Sequence, residues 1–243
     1  MPIPEAQEPA RMPHPSDGGP RVPARPALVM AAAGLFFLLI TWQVVAHGPL
    51  ARVDERIDGA VVRPDRISGL LADLGNIAVA VPVLAVALGY ATLRARRAGT
   101  HRWWLPAVAA AGLMAVLPAL IVPLKEAIAR PGPPVMGPAT GFYPSGHTAT
   151  AALAYGAAAL VLWPWLTTQY ARRGLLAVCA ALQLGVAFGL VRHGYHWPLD
   201  VVGSWSLCAV LLCALRLLLG LLPGAGRRFL ITGPGRLRRR SGR

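Results

Sequence analysis

Leu113-Met114-Ala115-Val116-Leu117-Pro118-Ala119-Leu120-Ile121-Val122-Pro123-Leu124 runs without a charge and stops at Lys125-Glu126-Ala127-Ile128-Ala129-Arg130-Pro131. The run belongs to an apolar block over about 103–124, long enough to cross a hydrocarbon core of ~30 Å as a helix of about 20 residues. Five similar blocks lie at about 27–46, 72–93, 146–166, 174–192 and 199–222. Only 14% of the 243 residues are charged, well below the roughly one quarter of a soluble domain. The expected fold is all-α: one polytopic membrane bundle of six transmembrane helices. Lys125 is the only lysine beside 23 arginines. A compact ammonium kept in an arginine-rich chain, where a span meets water, implies a specific ligand.

The formal net charge of +14 would point to nucleic acid in a soluble protein. Its distribution argues for a membrane instead. Arginines precede span 1, fill the joints between spans 2 and 3 and between spans 4 and 5, and follow span 6. These stretches share one side if the spans alternate. On the other side Arg52, Arg56, Arg63 and Arg66 are diluted by Asp54, Glu55, Asp58 and Asp65. An arginine excess marks the cytoplasmic face, so both termini are expected inside the cell (plasma) membrane. Residues 1–26, rich in proline, read as a disordered cytoplasmic leader. Residues 223–243 read as a basic tail lying against anionic lipid headgroups. Span 1 is long for a signal peptide, and Val44-Val45-Ala46 is a poor cleavage site, so it reads as an uncleaved anchor.

Between spans 1 and 2, Val53, Ile57, Ala60 and Val61 recur at helical spacing. This predicts a short amphipathic helix at the membrane surface. Residues 132–143, rich in Pro and Gly, read as an irregular loop. Cys179, Cys208 and Cys213 fall inside spans and read as apolar filler rather than as a disulfide or metal knuckle.

Three polar clusters lie at span ends, all on the side assigned to the outside: Lys125–Pro131, Pro144-Ser145-Gly146-His147 and His196-Trp197-Pro198-Leu199-Asp200. Ser145 is a good N-cap for span 4. Gly146 permits close approach to the backbone, and the unpaired N–H groups of a helix N-terminus favour an anion. His147 then projects beside that anion. Pro198 and Asp200 fit the first turn of span 6. A carboxylate beside His196 would fix its tautomer and leave the other ring nitrogen reactive. Lys125, Arg130 and Arg192 add three cations, which suits a multiply charged anion. His193 and His196 form a His-x-x-His pair without the further ligands of a zinc site, so no metal and no cofactor are expected.

These clusters resemble the signature of the type 2 phosphatidic acid phosphatase family, membrane relatives of the vanadium haloperoxidases. The second element of that signature is complete at 144–147, and the His-x-x-x-Asp part of the third at 196–200. Two positions depart. Gly132 stands seven residues after the lysine and Leu190 six residues before His196, where the family usually has arginines. Arg130 and Arg192 are the nearest substitutes. The resemblance implies that His196 attacks phosphorus, Asp200 orients it and His147 protonates the leaving oxygen. Lys125, Arg130, Ser145, Gly146 and Arg192 would hold the phosphate. The implied substrate is a lipid phosphate or diphosphate: a polyprenyl diphosphate, a phosphatidic acid or a phosphatidylglycerol phosphate. Phosphotransfer to a hydroxyl, or non-catalytic lipid binding or transport on the same scaffold, are the alternatives. The sequence does not name an oligomeric state.

Overall fold

The computed structural model describes residues 24–221, so the basic tail and nearly all of the leader lie outside the described residues. Eight α-helices follow in order: α1 (Ala24–Val45), α2 (Pro49–Val61), α3 (Arg66–Asp73), α4 (Ile77–Arg97), α5 (Leu105–Ile128), α6 (Gly146–Leu162), α7 (Gln169–His193) and α8 (Pro198–Leu221). Six of them, α1 and α4 to α8, are long and apolar enough to span a membrane. Among the described residues there is no strand, only an isolated bridge between Pro131 and Thr140. The described residues are all-helical, and the chain is an integral membrane protein.

The spans begin and end where local chemistry dictates, and several ends differ from the hydropathy reading. Residues 24–26, expected in the leader, form the first turn of α1, where Pro26 gives up a donor that a helix start does not need. The second span starts at Ile77 rather than near 72, because the side chain of Asn76 caps it by accepting from Ala78 N. The third span runs to Ile128 rather than Leu124, until Ala129 turns left-handed at φ 46°. Lys125 therefore stands in the last helical turn of α5, not in the loop beyond. The fifth span starts at Gln169, capped by Thr168, and takes Arg172 and Arg173 into its first turns. It ends on Gly194 at φ 78°, the left-handed residue that commonly closes a helix.

The predicted amphipathic helix is present as α2, but the segment 48–71 also holds α3, which apolar spacing did not reveal. α3 owes its start to a capping box in which Asp65 accepts from Ser68 N at 2.7 Å and Ser68 Oγ accepts from Asp65 N at 3.1 Å. The apolar stripe of α2, with Leu50, Val53 and Ile57, is turned away from the bundle. Its inward face carries Ala51 and, unexpectedly, the buried Asp54.

α6 is the axle. It is buried over 67% of its span, and it packs against α4, α5, α7 and α8. A helix enclosed on all sides carries no polar stripe. Ala149, Ala151, Ala152, Ala154, Ala157 and Ala158 let its neighbours approach closely, as small residues do between membrane helices. α1 lies along α8, and α3 crosses α7. That last crossing depends on Gly189, where a Cβ would meet Ser68 O at 2.7 Å and Leu71 C at 2.8 Å. Placing α6 at the centre puts its N-terminus beside the ends of α5, α7 and α8.

Candidate active site

His196 lies in the turn between α7 and α8, one helical turn before Asp200. Its Nδ1 sits 3.1 Å from Asp200 Oδ2. The same Oδ2 accepts from Trp197 N at 3.1 Å, while Oδ1 accepts from Arg130 Nη1 at 2.6 Å. Asp200 is wholly buried, so these bonds replace the water its carboxylate gives up. The geometry fixes His196 with Nδ1 toward the acid and leaves Nε2 as the uncommitted ring nitrogen. The tautomer with hydrogen on Nδ1 is the one an ionised carboxylate selects.

The N-terminus of α6 is tied to this pair. Ser145 N donates to the Asp200 carbonyl at 3.1 Å. Ser204 Oγ lies 2.8 Å from Ser145 O and 2.9 Å from Asp200 O. Ser145 Oγ accepts from Thr148 N at 3.3 Å, the predicted N-cap. The next two N–H groups, of Gly146 and His147, belong to the turn whose donors a helix cannot satisfy itself. Gly75 presses on this turn from the α3–α4 joint, where a Cβ would lie 2.8 Å from His147 O.

Lys125, Gly146, His147 and His196 share one cleft of about 610 Å³, with Asp73, Thr140, Gly141 and Phe142 also in its wall. Lys125 Nζ donates to Gly141 O at 2.7 Å, and a Cβ on Gly146 would sit 3.9 Å from Lys125 Cε. His147 is exposed to the cleft and His196 buried in its wall. The Phe142 ring meets His196 edge-on at 5.7 Å between centroids. Lysine, two histidines and a helix N-terminus thus share one cleft.

The arginines stand elsewhere. Arg130 is buried behind the cleft, its Nη1 on Asp200 and its Nη2 on Asp54 Oδ2 at 2.7 Å. Its guanidinium also stacks over the Trp197 ring at 5.3 Å. Arg192 lies at the end of α7 and pairs through Nε with Asp65 Oδ2 at 2.8 Å; it is not part of the cleft wall. Ser145 is likewise sealed beneath the helix turn it caps. At the two departures from the family pattern, Leu190 is core, its carbonyl accepting from Tyr195 N at 2.9 Å. Gly132 lies under Phe142, whose ring a Cβ would meet at 2.6 Å.

Wall or support residues that escaped the sequence reading include Asp54, Asp73, Thr140, Gly141 and Phe142. Asp54 belongs to a mixed-charge stretch and flanks the apolar stripe of α2, so its spacing gave no signal that it faces the bundle. Its Oδ1 accepts from Leu199 N at 2.9 Å, at the start of α8. Burial pushes the Asp54 carboxyl up to about 6, against the opposing pull of the Arg130 guanidinium. At the surface, the Ser68 N–H and then Arg192 hold Asp65 down at about 2.

Residues 103–221 match the model of the PAP2 superfamily, a segment that contains Lys125–Pro131, Pro144–His147 and His196–Asp200. By that match the chain is similar to the PAP2 superfamily. Its fold is similar to the crystal structure of a transmembrane PAP2-type phosphatidylglycerolphosphate phosphatase from Bacillus subtilis, at 22% identity and a TM-score of 0.65. That match covers 77% of this chain and 94% of the other. No curated protein matches the chain.

Proposed function

We propose that the protein is a membrane phosphatase that hydrolyses a lipid phosphate or diphosphate through a phosphohistidine. The observation that carries this reading is the His196–Asp200 pair set into the wall of a cleft shared with Lys125, His147 and the α6 N-terminus. The match of residues 103–221 to the PAP2 superfamily model supports the reaction class.

In the proposed reaction His196 Nε2 attacks phosphorus, while the proton on Nδ1 stays shared with Asp200. The bond from phosphorus to the lipid oxygen breaks, and His147 gives that oxygen a proton. Such proton transfer contributes roughly 10²–10⁴-fold in rate. His147, now neutral, takes a proton from water, which attacks the phosphohistidine and releases inorganic phosphate. Lys125 and the Gly146 and His147 N–H groups receive the phosphoryl oxygens and the charge that builds on them. Arg130 acts in this scheme behind Asp200 rather than on phosphate. The positive charge comes from the protein, so the reaction proceeds with EDTA present. The substrate enters laterally from the bilayer, with the cleft on the extracytoplasmic face of the plasma membrane and both termini inside.

The test is phosphate release by purified protein in detergent with EDTA. The panel is a phosphatidic acid, a phosphatidylglycerol phosphate and a polyprenyl diphosphate. Activity on at least one, with an acid-labile phosphoenzyme absent from His196→Ala, is expected. Full activity of His196→Ala would overturn the mechanism. A phosphorylated acceptor in place of free phosphate would make the enzyme a phosphotransferase.

A further inference from the structure

Arg130 holds two carboxylates with two different nitrogens: Nη1 on Asp200 Oδ1 at 2.6 Å and Nη2 on Asp54 Oδ2 at 2.7 Å. All three groups are buried. A guanidinium fork facing a single carboxylate prefers two parallel bonds, one to each oxygen. In this site such a grip would take Asp200 Oδ2, the oxygen that holds His196 Nδ1 and Trp197 N. Asp54 prevents it by occupying the second arm of the fork. Asp54 is itself fixed, because Oδ1 accepts from Leu199 N in the first turn of α8. The same acid therefore sets the guanidinium and the helix start that carries Asp200.

We propose that Asp54, on the inward face of α2, is a positioning residue for the nucleophile: it restricts Arg130 to one oxygen of Asp200 and so keeps the other free to orient His196. Resting on the phosphatase reading above, the role extends the site to an element outside the matched segment 103–221. It also gives α2 a task. The helix turns Leu50, Val53 and Ile57 outward and Asp54 inward, so its seating governs the His196–Asp200 pair.

The experiment measures kcat and KM of the full chain in detergent on dioctanoyl phosphatidic acid, dioctanoyl phosphatidylglycerol phosphate and a short polyprenyl diphosphate. The proteins are wild type, Asp54→Asn, Asp54→Glu, Asp200→Asn and the Asp54→Asn/Asp200→Asn double variant. Asp54→Asn keeps an acceptor for Leu199 N but sets an amide donor against Arg130. It should lower kcat at least tenfold with KM within twofold, since Asp54 does not touch substrate. Asp54→Glu, which keeps the charge, should recover most of kcat. In the Asp200→Asn background the Asp54→Asn change should add less than twofold. An unchanged kcat in Asp54→Asn, or equal losses in the Asn and Glu variants, would overturn the role. So would a full additive loss in the double variant, the mark of a merely structural acid. Should Asp54→Asn fail to fold, Asp54→Glu decides, because a loss as deep as that of Asp200→Asn refutes the charge argument. Silence of wild type on all three substrates would instead sink the phosphatase reading and this role with it.

Discussion

His196 and Asp200 are bonded across one helical turn, Nδ1 to Oδ2 at 3.1 Å, with Asp200 fully enclosed and its other oxygen on Arg130. Removing the acid's charge strands Arg130 between one carboxylate and one amide and lets the imidazole rotate. Asp200→Asn should lower kcat by about 10²–10⁴, up to the loss that follows removal of the acid behind a histidine base. His196→Ala should leave no measurable turnover. Initial rates of phosphate release, beside a gel-filtration check of folding, measure both.

Lys125 and Arg192 should behave differently. Lys125 shares the cleft with both histidines, so Lys125→Met should cost at least about 100-fold in kcat/KM, as loss of a group stabilising transition-state charge does. Arg192 is spent on Asp65 at a half-exposed pair, and such pairs contribute little to stability. Arg192→Gln should stay within about threefold of wild type, since Arg192 is not part of the cleft wall. A loss as deep as that of Lys125→Met would place Arg192 on the phosphate after all.

Much of this was legible in the sequence, for identifiable reasons. Six spans follow from apolar length alone, and Ser145, Gly146, His147, His196 and Asp200 follow from helix-start chemistry joined to motif spacing. Lys125 was found because it is compositionally unique. The arginines were harder to place, because spacing along the chain does not say which way a side chain leaves the backbone. Arg130 follows the left-handed Ala129, and that turn aims it behind Asp200 rather than into the cleft. Asp54 was unreadable for a related reason. It lies 146 positions before Asp200 in the chain, in a helix whose sequence shows an apolar stripe but not which face meets the bundle.

The Asp65 carboxyl gives a pH test. It is held at about 2, below its ordinary 3.8, first by the Ser68 N–H and then by Arg192. A carboxyl lowered by folding stabilises the fold at pH values above 3.8, and that contribution is lost as pH falls through about 2. The melting-temperature gap between wild type and Asp65→Asn should therefore be constant above pH 4 and close between pH 4 and 2. A gap that widens on acidification would contradict the assignment.

Gly189 seats α3 on α7. A Cβ there would press on the backbone of the α3 turn, at Ser68 O and Leu71 C, and backbone yields less readily than a side-chain tip. Gly189→Ala should destabilise the protein by about 1–3 kcal/mol, the cost of overpacking a close contact. Gly89→Ala, with open space around its Cβ, is the control and should melt like wild type. Detergent thermal melts compare the two.

Gly132 and Phe142 account for one of the missing family arginines in steric terms. A Cβ at 132 would lie 2.6 Å from the Phe142 ring, and that ring packs edge-on against His196. A side chain at 132 must therefore drive Phe142 off the nucleophile. Gly132→Arg alone should lower kcat at least tenfold, although it adds a cation beside the cleft. Phe142→Ala opens the space the new side chain needs, at the cost of a looser His196, and should be impaired by itself. The two residues touch, so their effects should not add. The double variant Gly132→Arg/Phe142→Ala should be more active than Gly132→Arg. A Gly132→Arg protein with wild-type or higher kcat would show that the aromatic ring yields freely and that the cleft tolerates an arginine at this position as it stands.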